Sequence, residues 1–273
     1  MTERLTPIVI VGARGRMGKT LIREITHSDS MILEAAVDRS SGPGLGQDAG
    51  RLAGLHELGV TVTDDLRPRR NSVVVDFSLP HATEANLRRC QEAGVPLILG
   101  TTGLSKATRE LMRAVGKDIA IVSSANFSVG ITLMTKIAGI MAHALGDGWD
   151  AELLEIHHSH KRDAPSGTAL RIAKAVAKAT GRDLEGKQRT DRADPHARPR
   201  ERGEIGIAAI RGGDSVGEHT LMFLADGERI ELTHRATDRA IFARGALRAA
   251  RWVVDRPPGL YSMPDVLGLA GLS

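Results

Sequence analysis

The sequence predicts an α/β fold in two parts: a parallel sheet covered by helices on both faces, then a smaller α+β part. Short apolar runs alternate with stretches of helical periodicity from residue 7 to residue 127. Continuous apolar runs in such alternation are typical of parallel strands that are buried on both faces. After residue 128 the alternation stops, and the Asp-Gly pair at 226–227 between two alternating runs indicates an antiparallel hairpin.

The first part has regular predicted elements and one irregular segment. Strands are expected at 7–12, 31–38, 72–78, 96–102 and 119–127, and helices at 19–28, 81–94 and 104–116. Residues 41–59 hold six glycines and interrupt this pattern, so we expect a long surface loop there.

The second part combines helices with strands and leads to a predicted domain division. We expect helices at 129–146, 167–181 and 239–255, strands at 150–158, 204–213 and 218–236, and an exposed polar loop at 185–203. The predicted domains are 1–128, 129–238 and a C-terminal helix and tail at 239–273. We expect this last segment to pack back on the first domain.

Composition and charge narrow the class of protein. The 273 residues carry a formal net charge of +4 and only 3% aromatic residues. A basic excess without aromatic-rich basic stretches favours small anions over nucleic acid as partners. The single cysteine, Cys90, permits no disulfide framework within the chain, and we find no signal peptide and no apolar stretch that would span a membrane. We therefore expect a cytoplasmic protein with no membrane or nucleic-acid partner.

A glycine-rich segment between the first strand and the first helix carries the first functional signal. Its sequence, GARGRMG at 12–18, places Ala13, Gly15 and Gly18 at the three small-residue positions of the dinucleotide fingerprint. Small residues permit a tight turn and a close approach of a pyrophosphate to the backbone, and the helix N-terminus offers free N–H groups. A glycine-rich turn with ordinary packing is the alternative interpretation.

The end of the second predicted strand supports the dinucleotide interpretation. Asp38 lies about twenty residues beyond Gly18, where an acid can accept a hydrogen bond from the adenosine ribose. Arg39 follows directly and could pair with a 2′-phosphate, which suggests that both NADH and NADPH are used. Arg14 and Arg16 could add positive charge near the expected phosphates.

The segment EIHHSHKRDAPSGTA at 155–169 carries the second signal, because three of the ten histidines fall within four positions beside Lys161. A metal site and a solvated surface cluster are two interpretations of this segment. It lacks a His-x-x-x-His helix and any accompanying cysteine or carboxylate pair, and a cationic lysine would repel a metal. His157 and Lys161 favour a third interpretation, which is proton transfer to a developing anion.

The turn that follows predicts an anion-binding helix start. Ser166 is the expected N-cap. The backbone N–H groups of Gly167 and Thr168, with the Thr168 hydroxyl, would then face an anion at the helix N-terminus. A carboxylate held there would lie close to His157 and Lys161, which predicts reduction of an anionic substrate with concurrent protonation.

These segments together resemble the 4-hydroxy-tetrahydrodipicolinate reductase family, also named dihydrodipicolinate reductase. The resemblance runs over nearly the whole chain in family order, and its most specific motif is HHxxKxDAPSGTA. The matching segments are VGARGRMG (11–18), VDFS (75–78), GTTG (100–103), SANFSVG (124–130), EIHHSHKRDAPSGTA (155–169) and HRATDRAIFARGAL (234–247). Members of the family often carry alanine where Ser124 stands here.

The resemblance implies a fold, a reaction and an assembly. The fold would be a Rossmann dinucleotide-binding domain followed by an α+β substrate and oligomerisation domain, whose mixed sheet assembles a homotetramer. The reaction would be the NADH- or NADPH-dependent reduction of 4-hydroxy-tetrahydrodipicolinate, through its dehydrated conjugated imine, to tetrahydrodipicolinate. This step belongs to diaminopimelate and lysine biosynthesis, and no metal is implied.

The resemblance also implies roles for individual residues. His157 matches the family's proton donor/acceptor and Lys161 its proton donor, while His158, Gly167 and Thr168 match substrate contacts. The implied cofactor contacts are Gly12, Ala13, Arg14, Gly15, Arg16 and Met17 in the phosphate loop, Asp38 and Arg39 at the ribose, and Gly100, Thr101, Thr102, Ser124, Ala125, Asn126 and Phe127 beside the nicotinamide. His160 and the 185–203 loop receive no role.

Two other classes of protein compete with this interpretation. An aldehyde dehydrogenase would need a cysteine nucleophile, and Cys90 lies inside a predicted helix, where a buried core residue is the expected role. A dinucleotide-sensing module would have kept the fold and lost the chemistry. The intact His157, Lys161 and Thr168 argue against such a module.

Overall fold

The structure of the protein, a computed structural model, describes residues 5–190, 192 and 198–272. In chain order the described strands are β1 (Thr6–Val11), β2 (Met31–Val37), β3 (Val62–Thr63), β4 (Val73–Asp76), β5 (Leu97–Leu99), β6 (Ala120–Ser123), β7 (Asp150–His157), β8 (Gln188–Arg189), β9 (Ile205–Arg211), β10 (Gly217–Ala225), β11 (Glu228–Ala236) and β12 (Gly259–Tyr261). The described helices are α1 (Arg16–Thr26), α2 (Ala49–Leu52), α3 (Thr83–Ala93), α4 (Lys106–Val115), α5 (Val129–Leu145), α6 (Gly167–Ala179), α7 (Leu184–Lys187), α8 (Ala240–Val253) and α9 (Met263–Val266). These elements form two compact units, residues 5–129 with 240–270 and the described part of 130–239 with 271–272.

The first unit is built on a parallel sheet with helices on both faces, which confirms the predicted fold class. Its described strands run in the order β12-β6-β5-β4-β1-β2-β3, and each neighbouring pair is parallel. Because side chains alternate along a strand, Ile8 and Ile10 of β1 pack with α1 and α8, whereas Val9 and Val11 pack with α3 and α4. The carboxyl ends of β1, β2, β4, β5 and β6 therefore share one edge of the sheet.

Local sequence determines where helices of this unit begin and end. Ser105 caps α4, since its side chain accepts a hydrogen bond from the Thr108 N–H at 3.0 Å. Helix α3 ends at Gly94, whose φ of +65° is the left-handed conformation that glycine adopts without strain. Leu21, Ile22 and Ile25 recur at helical spacing and bury one face of α1.

The expectation of a long surface loop at 41–59 is only partly correct. The segment contains helix α2, and the chain beyond it pairs as β3 with β2. The physical reason is Asp48, whose carboxylate accepts hydrogen bonds from the backbone N–H groups of Gly50, Arg51, Leu58 and Val60. One half-buried acid thus organises a segment whose glycine content suggested an irregular chain.

The second unit contains a mixed sheet with strand order β11-β10-β7-β9-β8. Strand β10 is antiparallel to both β7 and β11, while β9 is parallel to β7 and β8. The predicted hairpin is confirmed: β10 and β11 flank Asp226-Gly227, and Gly227 has a φ of +83°. Residues of α5 and α6 bury their apolar faces with inward residues of the sheet, among them Leu153 and Leu221.

The segment 185–203 is not wholly an exposed loop. It begins inside α7 and continues into β8, which pairs with β9. Farther along, the Arg200 guanidinium lies 2.6 Å from the Glu204 carbonyl oxygen and 3.0 Å from the Glu152 carboxylate. These two contacts of Arg200 attach a polar segment to the sheet, and the polarity of the sequence alone does not reveal them. Residues 191 and 193–197 lie outside the described residues.

The expectation that no apolar stretch could span a membrane is wrong by length and composition. The helical stretch Val129–Gly148 has 20 residues and a mean hydropathy of 1.4, which suffices for a crossing. Core helices of soluble proteins meet the same criteria, and this stretch buries Ile131, Met134, Ala138 and Ala142 in the core of the second unit. The stretch is therefore weak evidence for a membrane.

Candidate active site

The predicted phosphate loop joins β1 to α1, and its glycines at positions 12 and 18 leave no room for a side chain. A Cβ atom at Gly12, whose φ is +84°, would lie 2.7 Å from the Phe77 carbonyl oxygen. A Cβ atom at Gly18 would lie 2.2 Å from the Gly12 carbonyl oxygen. Gly15 is the N-cap of α1 without a side-chain cap, so the first N–H groups of this helix are open to an anion.

A cleft of about 710 Å³ lies in the first unit beside this loop. Its lining includes Gly12, Gly15, Asp38, Arg39 and Phe77. The cleft is within the size range of ligand sites, and its lining combines a glycine cradle with charged groups at the end of β2. The residues present therefore fit a dinucleotide, since the predicted phosphate loop and the predicted ribose contacts line one cleft.

Asp38 is more completely hydrogen-bonded than the sequence suggests. Its carboxylate accepts hydrogen bonds from the Arg14 backbone N–H at 2.8 Å, the Arg14 guanidinium at 3.0 Å and the Arg39 N–H at 2.9 Å. Burial by itself would raise the pKa of Asp38, but these donors outweigh burial and hold the pKa below its usual value. Arg14 thus turns toward Asp38 and the turn after β2, while Arg39 is exposed.

The segments expected beside the nicotinamide follow β5 and β6. The Phe77 and Phe127 rings lie 5.6 Å apart, and a Cβ atom at Gly100 would lie 2.3 Å from the Phe77 ring. These contacts bring residues 100–102 and 124–127 to the same sheet edge as Gly12. Within this group Thr101 and Phe127 are buried, whereas Thr102 and Ala125 are exposed.

Asp76 connects the chain segments that follow β4 and β5, and the sequence did not predict it as a site residue. It is fully buried at the end of β4 and accepts hydrogen bonds from the Ser78 N–H at 2.8 Å and from Asn86 Nδ2 at 2.9 Å, with Thr101 Oγ1 at 3.4 Å. Burial raises the pKa of Asp76 even though these hydrogen bonds oppose the shift. The side chain fixes the loops after β4 and β5 relative to each other.

His157 occupies the last position of β7, with its side chain on the buried face of the strand. Glu155 lies two residues earlier on the same face and is fully buried, and its Oε2 atom is hydrogen-bonded to His157 Nδ1. Burial is the largest influence on His157 and lowers its pKa. The Glu155 carboxylate opposes this shift, and the charges of Lys161 and Arg211 add to it.

Glu155 is held on its other sides by the neighbouring strand and the start of a helix. Arg211 of β9 binds both carboxylate oxygens, at 2.7 and 2.9 Å, and the Ser166 N–H donates to Oε1 at 3.1 Å. Burial alone would raise the pKa of Glu155, but these donors and His157 lower it below the usual value. Glu155 is thus a buried carboxylate that stays ionised.

Lys161 lies in the turn after β7. Its ammonium is bound by both oxygens of Asp163, at 2.7 and 2.8 Å, and this contact lowers the pKa of Asp163. His158 Nε2 lies 3.4 Å from the Arg239 guanidinium. His160 is exposed, with its ring 6.4 Å from that of His158.

The turn into α6 has the predicted cap. Ser166 Oγ accepts a hydrogen bond from the Ala169 N–H at 3.1 Å, which confirms Ser166 as the N-cap. Gly167 is exposed and Thr168 half-buried in the first turn of α6. Ser166 Oγ also contacts His219 Nε2 of β10 at 3.2 Å. Burial lowers the pKa of His219 to about 4, which keeps this ring neutral at pH 7.

The alternative interpretations receive little support from the structure. Within residues 5–190, 192 and 198–272, no group of three or more His, Cys, Asp or Glu side chains is arranged to hold a metal ion. Cys90 is fully buried in α3, and burial strongly raises the pKa of its thiol, with the Asp76 charge as a second cause. A buried, protonated thiol is a poor nucleophile.

Sequence reasoning missed Glu155, Arg211 and His219. Their roles depend on cross-strand register, since His157 pairs with Arg211 of β9 and Glu155 pairs with His219 of β10. The alternation of a strand would have placed Glu155 on the face of His157. No local signal identifies Arg211 or His219, because strand order is not readable from the segment itself.

Comparison with known proteins identifies the family. Residues 6–127 match the family model for the N-terminus of dihydrodipicolinate reductase, and residues 130–267 match the model for its C-terminus. The chain is 48% identical to 4-hydroxy-tetrahydrodipicolinate reductase of Halorhodospira halophila over 96% of this chain and 98% of the relative. The enzyme of the same name from Alkalilimnicola ehrlichii is also 48% identical, over 97% of this chain and 99% of the relative.

Solved structures show the same fold. Dipicolinate-bound dihydrodipicolinate reductase from Paenisporosarcina sp. TG-14 aligns with a TM-score of 0.75 at 22% identity, covering 95% of this chain and 98% of that one. Amine dehydrogenase from Mycobacterium smegmatis aligns with a TM-score of 0.63 at 15% identity, covering 96% of each chain. Because the two family models span most of the chain and relatives at 48% identity cover nearly all of it, the chain belongs to the dihydrodipicolinate reductase family.

Proposed function

We propose that this protein reduces 4-hydroxy-tetrahydrodipicolinate, through its dehydrated conjugated imine, to tetrahydrodipicolinate in diaminopimelate and lysine biosynthesis. The observation that carries the proposal is the cluster at the end of β7. There the buried His157 is hydrogen-bonded to Glu155, Lys161 lies in the following turn, and the N–H of Ser166, the N-cap of α6, donates to the same Glu155 carboxylate. The relatives named 4-hydroxy-tetrahydrodipicolinate reductase and the dipicolinate in the related structure support a small dicarboxylate substrate.

The first unit would hold the reductant. Gly12, Ala13, Gly15, Arg16 and Met17 would bind the pyrophosphate of NADH or NADPH, and residues 100–102 and 124–127 the nicotinamide. Asp38 and Arg39 would bind the adenosine ribose, beside Arg14, whose N–H and guanidinium donate to Asp38. When bound, the nicotinamide supplies a hydride to the conjugated system of the substrate. The open N–H groups at the start of α1 favour the negative charge of the phosphates.

The second unit would hold the substrate and move the proton. The N–H groups of Gly167 and Thr168 bind one carboxylate at the start of α6, and His158 provides a further contact. Lys161 donates a proton as negative charge develops on the substrate, and His157 exchanges a proton at Nε2. A positioned acid of this kind accelerates such a step by roughly 10²–10⁴-fold.

The proposal is tested by a coupled assay. Fresh substrate is generated by the preceding synthase, the protein is added with NADH or with NADPH, and oxidation of the reduced nicotinamide is followed by absorbance. We expect oxidation that depends on both the synthase and the protein. Oxidation at the background rate with both cofactors, in a protein that still binds NADPH, would instead identify a dinucleotide sensor.

Replacing Arg39 by alanine should weaken the binding of NADPH more than that of NADH. Arg39 lines the cleft, and its exposed guanidinium would pair with a 2′-phosphate, which only NADPH carries. We expect the Kd for NADPH to rise about tenfold or more, with little change for NADH. Arg67→Ala, which removes a cation paired with Asp65 on the surface, is the matched control. Equal effects on the two cofactors would remove the 2′-phosphate role.

The assembly and compartment proposed for the protein follow the family resemblance. We propose a cytoplasmic homotetramer assembled through the mixed sheet of the second unit. In the single chain, β11 lies at one edge of this sheet and most of its residues are exposed. Light scattering of the purified protein should give four times the chain mass, and a monomer mass would contradict the proposal.

A further inference from the structure

Glu155 is a buried carboxylate to which the proposed reaction assigns no role. We propose that Glu155 is a positioning residue that holds His157 in the tautomer with its proton on Nδ1 and so leaves Nε2 as the atom that exchanges a proton with the substrate. The inference rests on the proposed function, because His157 matters to catalysis only if the protein is the reductase.

The Glu155 carboxylate is surrounded by hydrogen-bond donors. Arg211 donates to both oxygens, at 2.7 and 2.9 Å, and the Ser166 N–H donates to Oε1 at 3.1 Å. A carboxylate held by a bidentate guanidinium remains ionised, and an ionised carboxylate only accepts hydrogen bonds. The remaining contact, between Oε2 and His157 Nδ1, therefore has the histidine as donor. The proton of the neutral ring must lie on Nδ1.

The other ring nitrogen, Nε2, lies beside Gly217 of β10. His157 Nε2 has no hydrogen-bond partner within the described residues, and a Cβ atom at Gly217 of β10 would lie only 2.8 Å from it. Any larger residue at position 217 would cover this nitrogen. Glycine at this position and the carboxylate at Nδ1 therefore act together, since one leaves Nε2 uncovered and the other leaves it unprotonated.

The charges around His157 explain why a carboxylate is needed there. Lys161 faces the ring from the turn after β7 and Arg211 from β9, and the His219 ring of β10 lies 5.2 Å away in an edge contact. Burial and the two cations disfavour a protonated imidazole, while Glu155 favours it. Without Glu155 the ring would be held less firmly, and its protonated form would be harder to reach.

The test compares Glu155→Gln with the wild-type protein by nitrogen NMR of labelled histidine and by kinetics. In the wild type we expect the His157 shifts of the tautomer with the proton on Nδ1. In Glu155→Gln we expect a mixture of tautomers, a lower His157 pKa, and a kcat reduced about 10–100-fold. The inflection of the kcat pH profile that belongs to His157 should move to lower pH, while the substrate KM stays within about threefold.

Matched variants separate positioning from folding. Glu218→Gln on β10 removes a carboxylate that pairs with Arg235 near the surface, and it should leave both the His157 shifts and kcat unchanged. Glu155→Asp keeps the charge for Arg211 but shortens the reach to Nδ1, so it should fold and still show a reduced kcat. If Glu155→Gln does not fold, the wild-type shifts and the aspartate variant decide the question.

The outcomes distinguish this inference from the proposed function. A wild-type His157 with its proton on Nε2, or shifts and kcat that are unchanged in a folded Glu155→Gln or Glu155→Asp, would overturn the positioning role. A wild-type protein that fails to reduce the substrate, but whose His157 shows the expected tautomer and responds to Glu155→Gln, would contradict the proposed reaction and leave the positioning of the ring intact.

Discussion

Replacing His157 or Lys161 by alanine is expected to lower kcat by about 10²–10⁴-fold, the range typical for loss of a positioned acid or base. His157 is the only ring that the Glu155 carboxylate contacts through Nδ1 within the described residues, and Lys161 supplies the ammonium in the adjoining turn. Neither side chain belongs to the unit that contains the phosphate loop. The dinucleotide Kd should therefore remain within about threefold of the wild-type value.

The fold should tolerate these changes, so that loss of turnover is interpretable. In His157→Ala the Glu155 carboxylate keeps its hydrogen bonds from Arg211 and from the Ser166 N–H. Among the described residues Lys161 is paired only with Asp163, whose side chain is 61% exposed, so its removal leaves no buried charge without a partner. Thermal unfolding measured beside the kinetics will check that both variants remain folded.

His160→Ala is the matched control for this prediction. It removes an exposed imidazole from the same turn, one whose ring lies 6.4 Å from that of His158. We expect its kcat to stay within about threefold of the wild type. If His157→Ala retained turnover while its dinucleotide binding collapsed, the proton-transfer role would be assigned to the wrong residue.

Much of the fold was predictable because its determinants are local. The continuous apolar runs predicted the parallel strands, and the Asp-Gly pair predicted the hairpin between β10 and β11. Ser166 predicted the start of α6. Strands β3 and β12 were missed, since two or three residues carry too little periodicity to be distinguished from loop. Their positions depend on pairing with β2 and β6, which is information from the tertiary fold.

The candidate site likewise contains some residues that the sequence identifies and others that it does not. His157, Lys161 and the phosphate loop stand out because their chemistry is concentrated in short segments. Glu155 and Asp76 were missed as site residues although both lie inside quoted motifs, because an isolated buried acid has no sequence signature until its donors are known. Arg14 was expected beside phosphates, whereas in the structure its guanidinium binds Asp38 and carbonyl groups of the following turn.

Replacing Gly18 by alanine is expected to weaken NADH and NADPH binding equally, by more than tenfold. The added Cβ atom would lie 2.2 Å from the Gly12 carbonyl oxygen and 2.6 Å from Ala13 Cα, and both are backbone atoms that cannot move aside cheaply. Helix α1 must then shift away from the phosphate loop. Because the pyrophosphate is common to both cofactors, the loss should not discriminate between them, in contrast to Arg39→Ala.

Alanine variants at two further glycines distinguish the effect of disturbed helix packing from the effect of a blocked approach of the ligand. Gly148→Ala adds a methyl group with nothing within 4 Å and should change neither stability nor binding. Gly15→Ala brings a Cβ atom to 3.2 Å from the Gly12 carbonyl oxygen, a contact that small adjustments can relieve. The fold should therefore persist, while a pyrophosphate is kept farther from the backbone.

Gly18→Ala should also lower the free energy of unfolding by about 1–3 kcal/mol, as overpacking typically does. Calorimetric titration with each cofactor and thermal unfolding measure these effects, and unchanged binding in both Gly15→Ala and Gly18→Ala would place the dinucleotide elsewhere.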